Sequence, residues 1–170
     1  MELTLKTISK SGIPQALTKA EKYRYLDEPE ETESICRDIL AAEPGNQEAL
    51  RLLGLAIADQ FCGTLSDRCS EAESIFRGLT DPYERLYYTG LLHERRAKAQ
   101  LGAGEPARML VPLFEEAMTY FEQAASLRPQ DNEDAILRWN RCARLLQGLP
   151  RPNAEKEAVA LDVADGAPVR

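Results

Sequence analysis

The chain has 170 residues, enough to bury one hydrophobic core, and its hydrophobic fraction of 44% is too high for a wholly disordered protein. Its formal net charge of -7 argues against a general affinity for nucleic acid or anionic membranes, because either would require a basic face. No apolar run approaches the ~20 residues of a membrane-spanning helix, and the N-terminal MELTLKTISKSG lacks the apolar core of a secretion signal. We therefore expect a cytoplasmic protein.

Helix signals run along the chain, whereas the alternation typical of strands is absent, so the predicted class is all-α. Apolar residues recur at intervals of three and four, and proline, glycine and asparagine mark the segment ends. Seven helices are predicted, in IPQALTKAEKYRYL, EETESICRDILAAE, EALRLLGLAIADQF, CSEAESIFRGL, DPYERLYYTGLLHERRAKAQL, MLVPLFEEAMTYFEQAASL and NEDAILRWNRCARLLQ. The sixth tolerates Pro112 only if that residue lies in its first turn.

The predicted organisation has three parts: an N-terminal tail over residues 1–12, a helical domain over 13–147 and a C-terminal tail over 148–170. The helical pattern ends at Gly148. Beyond it the sequence is rich in proline, alanine and acidic residues and shows no broad apolar stripe. We therefore expect the C-terminal tail to be mostly disordered.

Internal repetition is visible in the apolar pattern. Gly54 interrupts the apolar stretch EALRLLGLAI, where glycine costs roughly 1 kcal/mol relative to alanine. This stretch resembles the first helix of a tetratricopeptide repeat. Three other segments resemble the second helix, through Ala117, Phe121, Ala124 and Pro129, through Ala72, Phe76 and Leu79, and more loosely through Thr32, Cys36, Ile39 and Pro44.

The resemblance implies an α-solenoid of about three helix-turn-helix units plus a C-terminal capping helix. It also implies that Gly54 and Gly90 let the two helices of a unit approach closely, with Gly54 against the helix that carries Ala72 and Phe76. The chain departs from the family pattern in four places. Pro82 comes two residues early relative to Leu79. CGTLSD intrudes after the third helix, Trp139 stands at the glycine position of the seventh, and extra residues separate Gly90 from Ala117. Because RRAKAQ favours helix, we expect the last insertion to lengthen helices five and six into a long hairpin; an unstructured insert is the alternative.

No catalytic or metal-binding motif is present in the sequence. His93, the one histidine, lies at a packed helical position, and Cys62 and Cys69 lack the second close pair typical of zinc sites. We expect the four cysteines (Cys36, Cys62, Cys69 and Cys142) to be free thiols. The sequence therefore predicts a protein that is not an enzyme and has no metal or cofactor.

The resemblance further implies a concave groove lined by the first helix of each unit. The candidate partner-binding residues in this groove are Arg24, Arg51, Leu55, Tyr87, Leu91, Arg95, Asn140 and Arg144, with Asp59 and Ile136 beside them. Arginines above an aromatic and aliphatic floor suit a peptide that carries acidic groups beside apolar anchors. The lysine-and-asparagine pattern by which some relatives hold a chaperone's C-terminal carboxylate is not reproduced in any one repeat.

Two functions follow as hypotheses. The protein is an adaptor or scaffold that binds a segment of another protein in the groove, or it is a structural subunit that assembles with itself or a larger complex through its helical faces. Arg138, Arg141 and Arg144 with Trp139 suit the seventh helix as a polar cap, whereas exposure of Trp139 beside aliphatic residues would favour self-association. A basic cluster of Arg95, Arg96, Lys98 and Arg108 offers local phosphate contacts, but the acidic total disfavours nucleic acid as a partner.

Overall fold

A computed structural model describes residues 3–60 and 67–149 of the chain. Within those ranges it is all-helical and contains no strand, as predicted from the sequence. A short 3-10 helix over Lys10–Gly12 precedes seven α-helices: α1 (Ile13–Tyr25), α2 (Pro29–Ala42), α3 (Gln47–Asp59), α4 (Asp67–Arg77), α5 (Pro82–Gly102), α6 (Ala107–Leu127) and α7 (Asp134–Gln147). The predictions for CGTLSD, apart from its final Asp67, and for the chain beyond Leu149 fall outside the described residues.

Several helices begin where side chains or proline satisfy the free N–H groups of the first turn. The Asn46 side chain accepts a hydrogen bond from the Ala49 N–H at the start of α3. The Asp81 carboxylate accepts from the N–H groups of Tyr83 and Glu84 at the start of α5. Pro82 stands in the first turn of α5, as Pro29 does in that of α2, and a missing N–H costs nothing there.

Each helix packs against the helix before it and the helix after it along the chain. Two further contacts, between α1 and α3 and between α5 and α7, join helices that are two apart in sequence. The core between them contains fully buried large side chains, including Ile39, Ile57, Phe76, Phe114 and Phe121. None of the helices in the described ranges is both long and apolar enough to cross a membrane.

The two internal glycines, Gly54 and Gly90, lie where a neighbouring helix leaves no room for a Cβ atom. A Cβ atom at position 54 would lie 2.7 Å from Cζ of Phe76 on α4. A Cβ atom at position 90 would lie 3.0 Å from Cε1 of Phe121 on α6. The prediction that Gly54 and Gly90 permit close helix approach is therefore confirmed, and the packing gained offsets their low helix propensity.

Helices α5 and α6 each contain 21 residues, which corresponds to a length of roughly 32 Å. The long helices are therefore confirmed, and the alternative of an unstructured insert is wrong. Gly104, with φ of 91°, makes the turn between them, in a left-handed conformation that favours glycine.

The expectation for Pro112 is wrong, because α6 begins at Ala107 and Pro112 is the sixth helical residue, beyond the first turn. Proline there removes the hydrogen bond to the carbonyl of Arg108. Both residues are exposed, so water can reach that carbonyl.

Candidate functional site

Three helices are joined by one carboxylate, that of Asp59 at the end of α3. Arg24 of α1 donates from Nε to Asp59 Oδ2 over 2.9 Å, and Arg95 of α5 pairs with the other oxygen, Oδ1. The Arg95 guanidinium also lies 3.4 Å from the carbonyl oxygen of Leu55, one turn back on α3. Burial lowers the pKa of Arg95 from its usual value, while Asp59 acts in the opposite direction. Asp59 therefore ties α1, α3 and α5 together.

A second ion pair connects α3 and α5 nearer their N-terminal ends. Arg51 donates from Nη1 to the Glu84 carboxylate over 2.9 Å, and both side chains are about one quarter exposed. Burial lowers the pKa of Arg51, but the hydrogen bond to Glu84 and nearby negative groups outweigh it, so the net shift is upward. Arg51 stays charged, because an arginine pKa is far above neutral to begin with.

A fully buried carboxylate, Glu94, connects α5 to α7. Its side chain has no exposed area and pairs with Lys98 one turn along α5 and with Arg138 of α7, at 3.5 Å from Nη1. A buried charge requires such partners, since leaving it unpaired would be very costly. The adjacent Cys142 thiol is buried as well, and burial, with a contribution from the Glu94 charge, raises its pKa to about 11.

Tyrosine side chains fill the space between these ion pairs. The ring of Tyr87 stacks on Tyr83 at a centroid distance of 5.7 Å, meets Tyr88 edge-on at 5.1 Å and lies 6.0 Å from Phe121. Tyr87 is half-buried, so part of the ring remains accessible. It also lies close enough to Arg138 to raise the pKa of that guanidinium against the opposing effect of burial.

We call the paired side chains the ion-pair network: the cations Arg24, Arg51, Arg95, Lys98 and Arg138 with the carboxylates Asp59, Glu84 and Glu94. Five cations share three carboxylates within it, in a chain whose net charge is -7. The network belongs to the four odd-numbered helices, α1, α3, α5 and α7. These helices therefore share a local excess of positive charge.

Of the residues predicted for the groove, Arg24, Arg51 and Arg95 belong to the ion-pair network. Tyr87 lies between its parts. Leu55 and Leu91 are buried in the hydrophobic core, with relative exposures of 6% and 4%, so they form the underlying floor and offer little surface. Asn140 is half-buried and Arg144 exposed on α7.

The network also includes residues that the sequence did not assign to the groove. The sequence assigns no role to Glu84 or Glu94, and it predicts Arg138 only as part of a cap. The spacing of Glu94 and Lys98, four residues apart, is a visible signal for an ion pair. Nothing in the sequence indicates that Arg138, 44 residues from Glu94, reaches the same carboxylate.

His93 is packed into the interior, as predicted. Its ring stacks on Tyr120 at 5.3 Å, and Nδ1 lies 3.3 Å from a carboxylate oxygen of Glu116. Burial is the main cause that lowers the pKa of His93 below its usual 6.5, and the Glu116 charge opposes it only in part. The ring is therefore neutral at pH 7.

Free thiols are found at Cys36, Cys69 and Cys142, while Cys62 lies outside the described ranges. Burial raises the pKa of the Cys36 thiol to about 12, with a smaller effect from Glu33, and also raises that of Cys69. Among residues 3–60 and 67–149 no three histidine, cysteine or acidic side chains come together as metal ligands would.

A small apolar slot lies between α6 and α7. It has a volume of about 190 Å³ and is lined by Phe121, Glu122, Ala125, Ile136 and Trp139. Trp139 is 36% exposed. We call this the Trp139 slot.

The fold and the site together describe an all-helical protein with a cation-rich network across its odd-numbered helices. Comparisons with protein-family models, curated proteins and solved structures found no match.

Proposed function

We propose that the chain is a non-enzymatic protein-protein interaction module, an adaptor or scaffold similar to tetratricopeptide repeat proteins. In this proposal the helix pairs stack as a solenoid, and a partner segment binds along α1, α3, α5 and α7. The partner carries acidic groups beside apolar anchors. The observation that carries the proposal is the ion-pair network, in which five cations share three carboxylates.

The network supports an acidic partner because its arginines are held in place but not neutralised. Arg24 and Arg95 share the single carboxylate of Asp59, so each retains hydrogen-bonding capacity for a second acceptor. Side chains fixed in advance lose less conformational entropy on binding than free arginines do. The accessible part of Tyr87 supplies an aromatic contact beside them, and arginine and tyrosine are enriched among the residues that dominate binding energy.

The test uses the full chain and a displayed library of short random peptides. Peptides selected on the wild-type protein should be enriched in aspartate or glutamate next to apolar residues. Replacing those acidic residues by asparagine or glutamine should weaken binding at least tenfold, because a charge-assisted hydrogen bond contributes about 1.5 to 3 kcal/mol.

Matched variants locate the binding surface. Arg51→Gln should weaken the selected peptides, whereas Arg77→Gln, which removes the same charge from an arginine 63% exposed outside the network, should not. Equal loss in both variants, or selected peptides without acidic residues, would overturn the proposal. Thermal unfolding of each variant verifies that the fold is retained.

A second candidate function rests on the exposed side chains of α7. Trp139 is 36% exposed and Leu137 is 62% exposed, which is the condition that favours assembly with a second copy or a larger complex. Measuring the mass of the free protein by light scattering over a range of concentrations tests self-assembly. A monomer at all concentrations would remove self-association from consideration.

A further inference from the structure

Three arginines from three different helices lie close together within the ion-pair network. Arg24 of α1 and Arg95 of α5 pair with the two oxygens of the Asp59 carboxylate, so both guanidinium groups are held at one side chain of α3. Arg138 of α7 lies close enough to Arg95 for its positive charge to act on that guanidinium. We call Arg24, Arg95 and Arg138 the arginine cluster.

The arginine cluster carries more positive charge than its partners neutralise. Its three arginines and Lys98 pair with two carboxylates, those of Asp59 and Glu94, which leaves a surplus of two positive charges. The surplus acts on Arg95. Burial is the largest cause that lowers the pKa of Arg95, the charges of Arg24 and Arg138 lower it further, and Asp59 offsets these effects only in part. An anion bound beside Arg95 would therefore be attracted by charge that the protein itself leaves uncompensated.

The arginine cluster is accessible to a ligand and has donors to offer it. The side chains of Arg24, Arg95 and Arg138 are 25%, 23% and 39% exposed. Arg24 contacts Asp59 through Nε and Arg95 contacts it through Nη1, so the other N–H groups of both guanidiniums can donate to a further acceptor. Nη1 of Arg138 lies 3.5 Å from Glu94, longer than an ordinary hydrogen bond, so this contact constrains Arg138 only weakly.

A surplus of two positive charges suits a doubly negative group. A phosphoryl monoester carries a charge of about −1.5 to −2 at pH 7 and presents three strong acceptor oxygens. The planar guanidinium group matches phosphate geometry through paired N–H donors. One carboxylate, as in aspartate or glutamate, would neutralise only half of the surplus. The cluster therefore fits a phosphoryl group better than a carboxylate.

The surroundings of the cluster favour a single phosphoryl group beside apolar atoms. The chain has a net charge of -7, so a long polyanion would be repelled outside the cluster. Tyr87 is half-buried and lies close enough to Arg138 to affect its pKa, so the accessible part of its ring offers an apolar contact next to the cluster. A phosphorylated side chain within a peptide segment supplies both features.

We propose that the arginine cluster binds the phosphoryl group of a phosphorylated serine or threonine in the partner segment. This inference rests on the proposed function, because it names the acidic group that the partner presents to the ion-pair network. Arg24, Arg95 and Arg138 donate hydrogen bonds to the phosphoryl oxygens. Asp59 holds two of these arginines in place beforehand, which lowers the entropy lost on binding. An apolar residue beside the phosphorylated one contacts the ring of Tyr87.

Fluorescence anisotropy with the full chain tests the proposal. The probes are three labelled peptide libraries with apolar residues around one central residue, which is phosphoserine, aspartate or serine. The phosphoserine library should bind about tenfold more tightly than the aspartate library, because it offers a second negative charge and a further acceptor oxygen to fixed arginines. The serine library should bind more weakly than the aspartate library.

Matched variants locate the phosphoryl site. Arg138→Gln and Arg24→Gln should each reduce the preference for phosphoserine over aspartate, because each removes one of the surplus charges. Arg141→Gln is the control, since it removes an exposed arginine of the same helix as Arg138 that lies outside the cluster. Thermal unfolding verifies that each variant is folded, and the two cluster variants provide independent tests. A preference that is unchanged in both cluster variants, or reduced equally in the control, would overturn the proposal.

The outcomes separate this inference from the proposed function. Equal affinity for the phosphoserine and aspartate libraries would overturn the inference and leave the proposed function standing, whereas no binding of any library would overturn both. Competition with inorganic phosphate identifies the source of the phosphoryl group. Displacement of the phosphoserine peptides only by a large excess of phosphate supports a peptide segment. Displacement by phosphate at the concentration of the peptides would assign the cluster to a small phosphate compound and overturn the proposal.

Discussion

The ring of Phe76 lies against the backbone of Gly54, at a distance that leaves no room for a side chain there. A Cβ at position 54 would come within 2.9 Å of ring atom Cδ1 and 2.7 Å of Cζ. Phe76 is 1% exposed, and its ring is stacked on Tyr88 at 5.5 Å, so it has no free space to move into. The helix α3 and the helix α4 are therefore held at a separation that only glycine permits.

The first prediction is that Gly54→Ala destabilises the protein. Overpacking costs about 1 to 3 kcal/mol, while the gain in helix propensity offsets about 1 kcal/mol, so a net loss of roughly 1 kcal/mol is expected. Urea unfolding measures this loss in the free energy of unfolding. Gly102→Ala is the matched control, because position 102 is also helical but a Cβ there would meet no atom of another element within 4 Å. This substitution should stabilise the protein or leave its stability unchanged. A Gly54→Ala protein as stable as the control would contradict the contact.

The second prediction concerns Glu33, whose carboxylate joins three helices. It accepts hydrogen bonds from Arg37 on α2, from Gln60 at the end of α3 and from Arg68 on α4. Burial raises the pKa of Glu33, but the hydrogen bonds from Gln60, Arg37 and Arg68 outweigh it, so the net shift is below the usual 4.5. Because the pKa of Glu33 is lowered in the folded state, the ionised carboxylate stabilises the folded protein above pH 4.5. This stabilisation is lost as the pH falls through the folded-state pKa.

Glu33→Gln should therefore destabilise the chain at pH 7, by about 1 to 2 kcal/mol after allowance for the solvent exposure of both arginines. The difference from wild type should diminish below pH 4.5. Glu31→Gln, an exposed carboxylate on the same helix, serves as the control and should have little effect. A constant difference at every pH would exclude the ionised carboxylate as the source of stability.

The third prediction is a pH dependence caused by His93. Because burial lowers its pKa below 6.5, the unfolded chain binds a proton that the folded chain does not. The free energy of unfolding should therefore decrease as the pH falls below 6.5 toward the folded-state pKa, and it should be insensitive to this group above pH 6.5. Since His93 is the one histidine, His93→Gln should remove the slope between pH 6.5 and 5.5. Persistence of the slope in that variant would assign it to other groups.

The fourth prediction is that Cys36 and Cys142 resist thiol reagents in the native protein. Both are fully buried, and their pKa values of about 12 and about 11 leave almost no thiolate at pH 8. Mass spectrometry after a short exposure to iodoacetamide should show neither residue modified, and both should react after unfolding in guanidinium chloride. Rapid native labelling of Cys36 or Cys142 would mean that the surrounding helices open readily.

The fifth prediction rests on the proposed binding function and separates it from a purely structural role. Asp59→Asn removes the carboxylate that Arg24 and Arg95 share, so it should lower the melting temperature. The same change removes a negative charge that competes with acidic peptides for Arg24 and Arg95. We expect this gain to exceed the entropy cost of no longer fixing the two arginines in advance, so binding should strengthen, opposite in sign to Arg51→Gln. Titration of a selected peptide into the Asp59→Asn and Arg51→Gln variants measures both changes in affinity. Weaker binding by Asp59→Asn would indicate that the network only maintains the fold.

The helices could be predicted from sequence because their signals are local. Asp81 acts as the expected N-cap of α5, and the spacing between Ala72 and Phe76 indicated which side of α4 meets Gly54. The predicted sixth helix began at Met109, which would put Pro112 in its first turn, but α6 begins two residues earlier, at Ala107. The residue at which α6 begins depends on the geometry of the turn at Gly104. The spacing of apolar residues along the chain does not encode that geometry.

The site was predicted less completely, because ion pairs depend on three-dimensional proximity. The arginines Arg51 and Arg95 could be placed on one face by counting along equivalent helices. Asp59 was placed beside them in the same way, but Glu84 was not, since it resembles any other exposed helical acid in the sequence. Glu94 is fully buried and is paired with Arg138 of α7. No local sequence pattern encodes that contact between distant residues.

The order of helix contacts has a consequence for how the protein folds and opens. Since each helix packs chiefly on its neighbours in sequence, most contacts close short stretches of chain, and such topologies fold rapidly. Stability is then distributed unevenly along the chain. Amide hydrogens in α3 and α5, which have neighbours on both sides, should exchange slowest with solvent, and those in α1 and α7 fastest. Within residues 3–60 and 67–149, opening would begin at α1 or α7 and advance inward, so these helices can separate while the central ones stay folded.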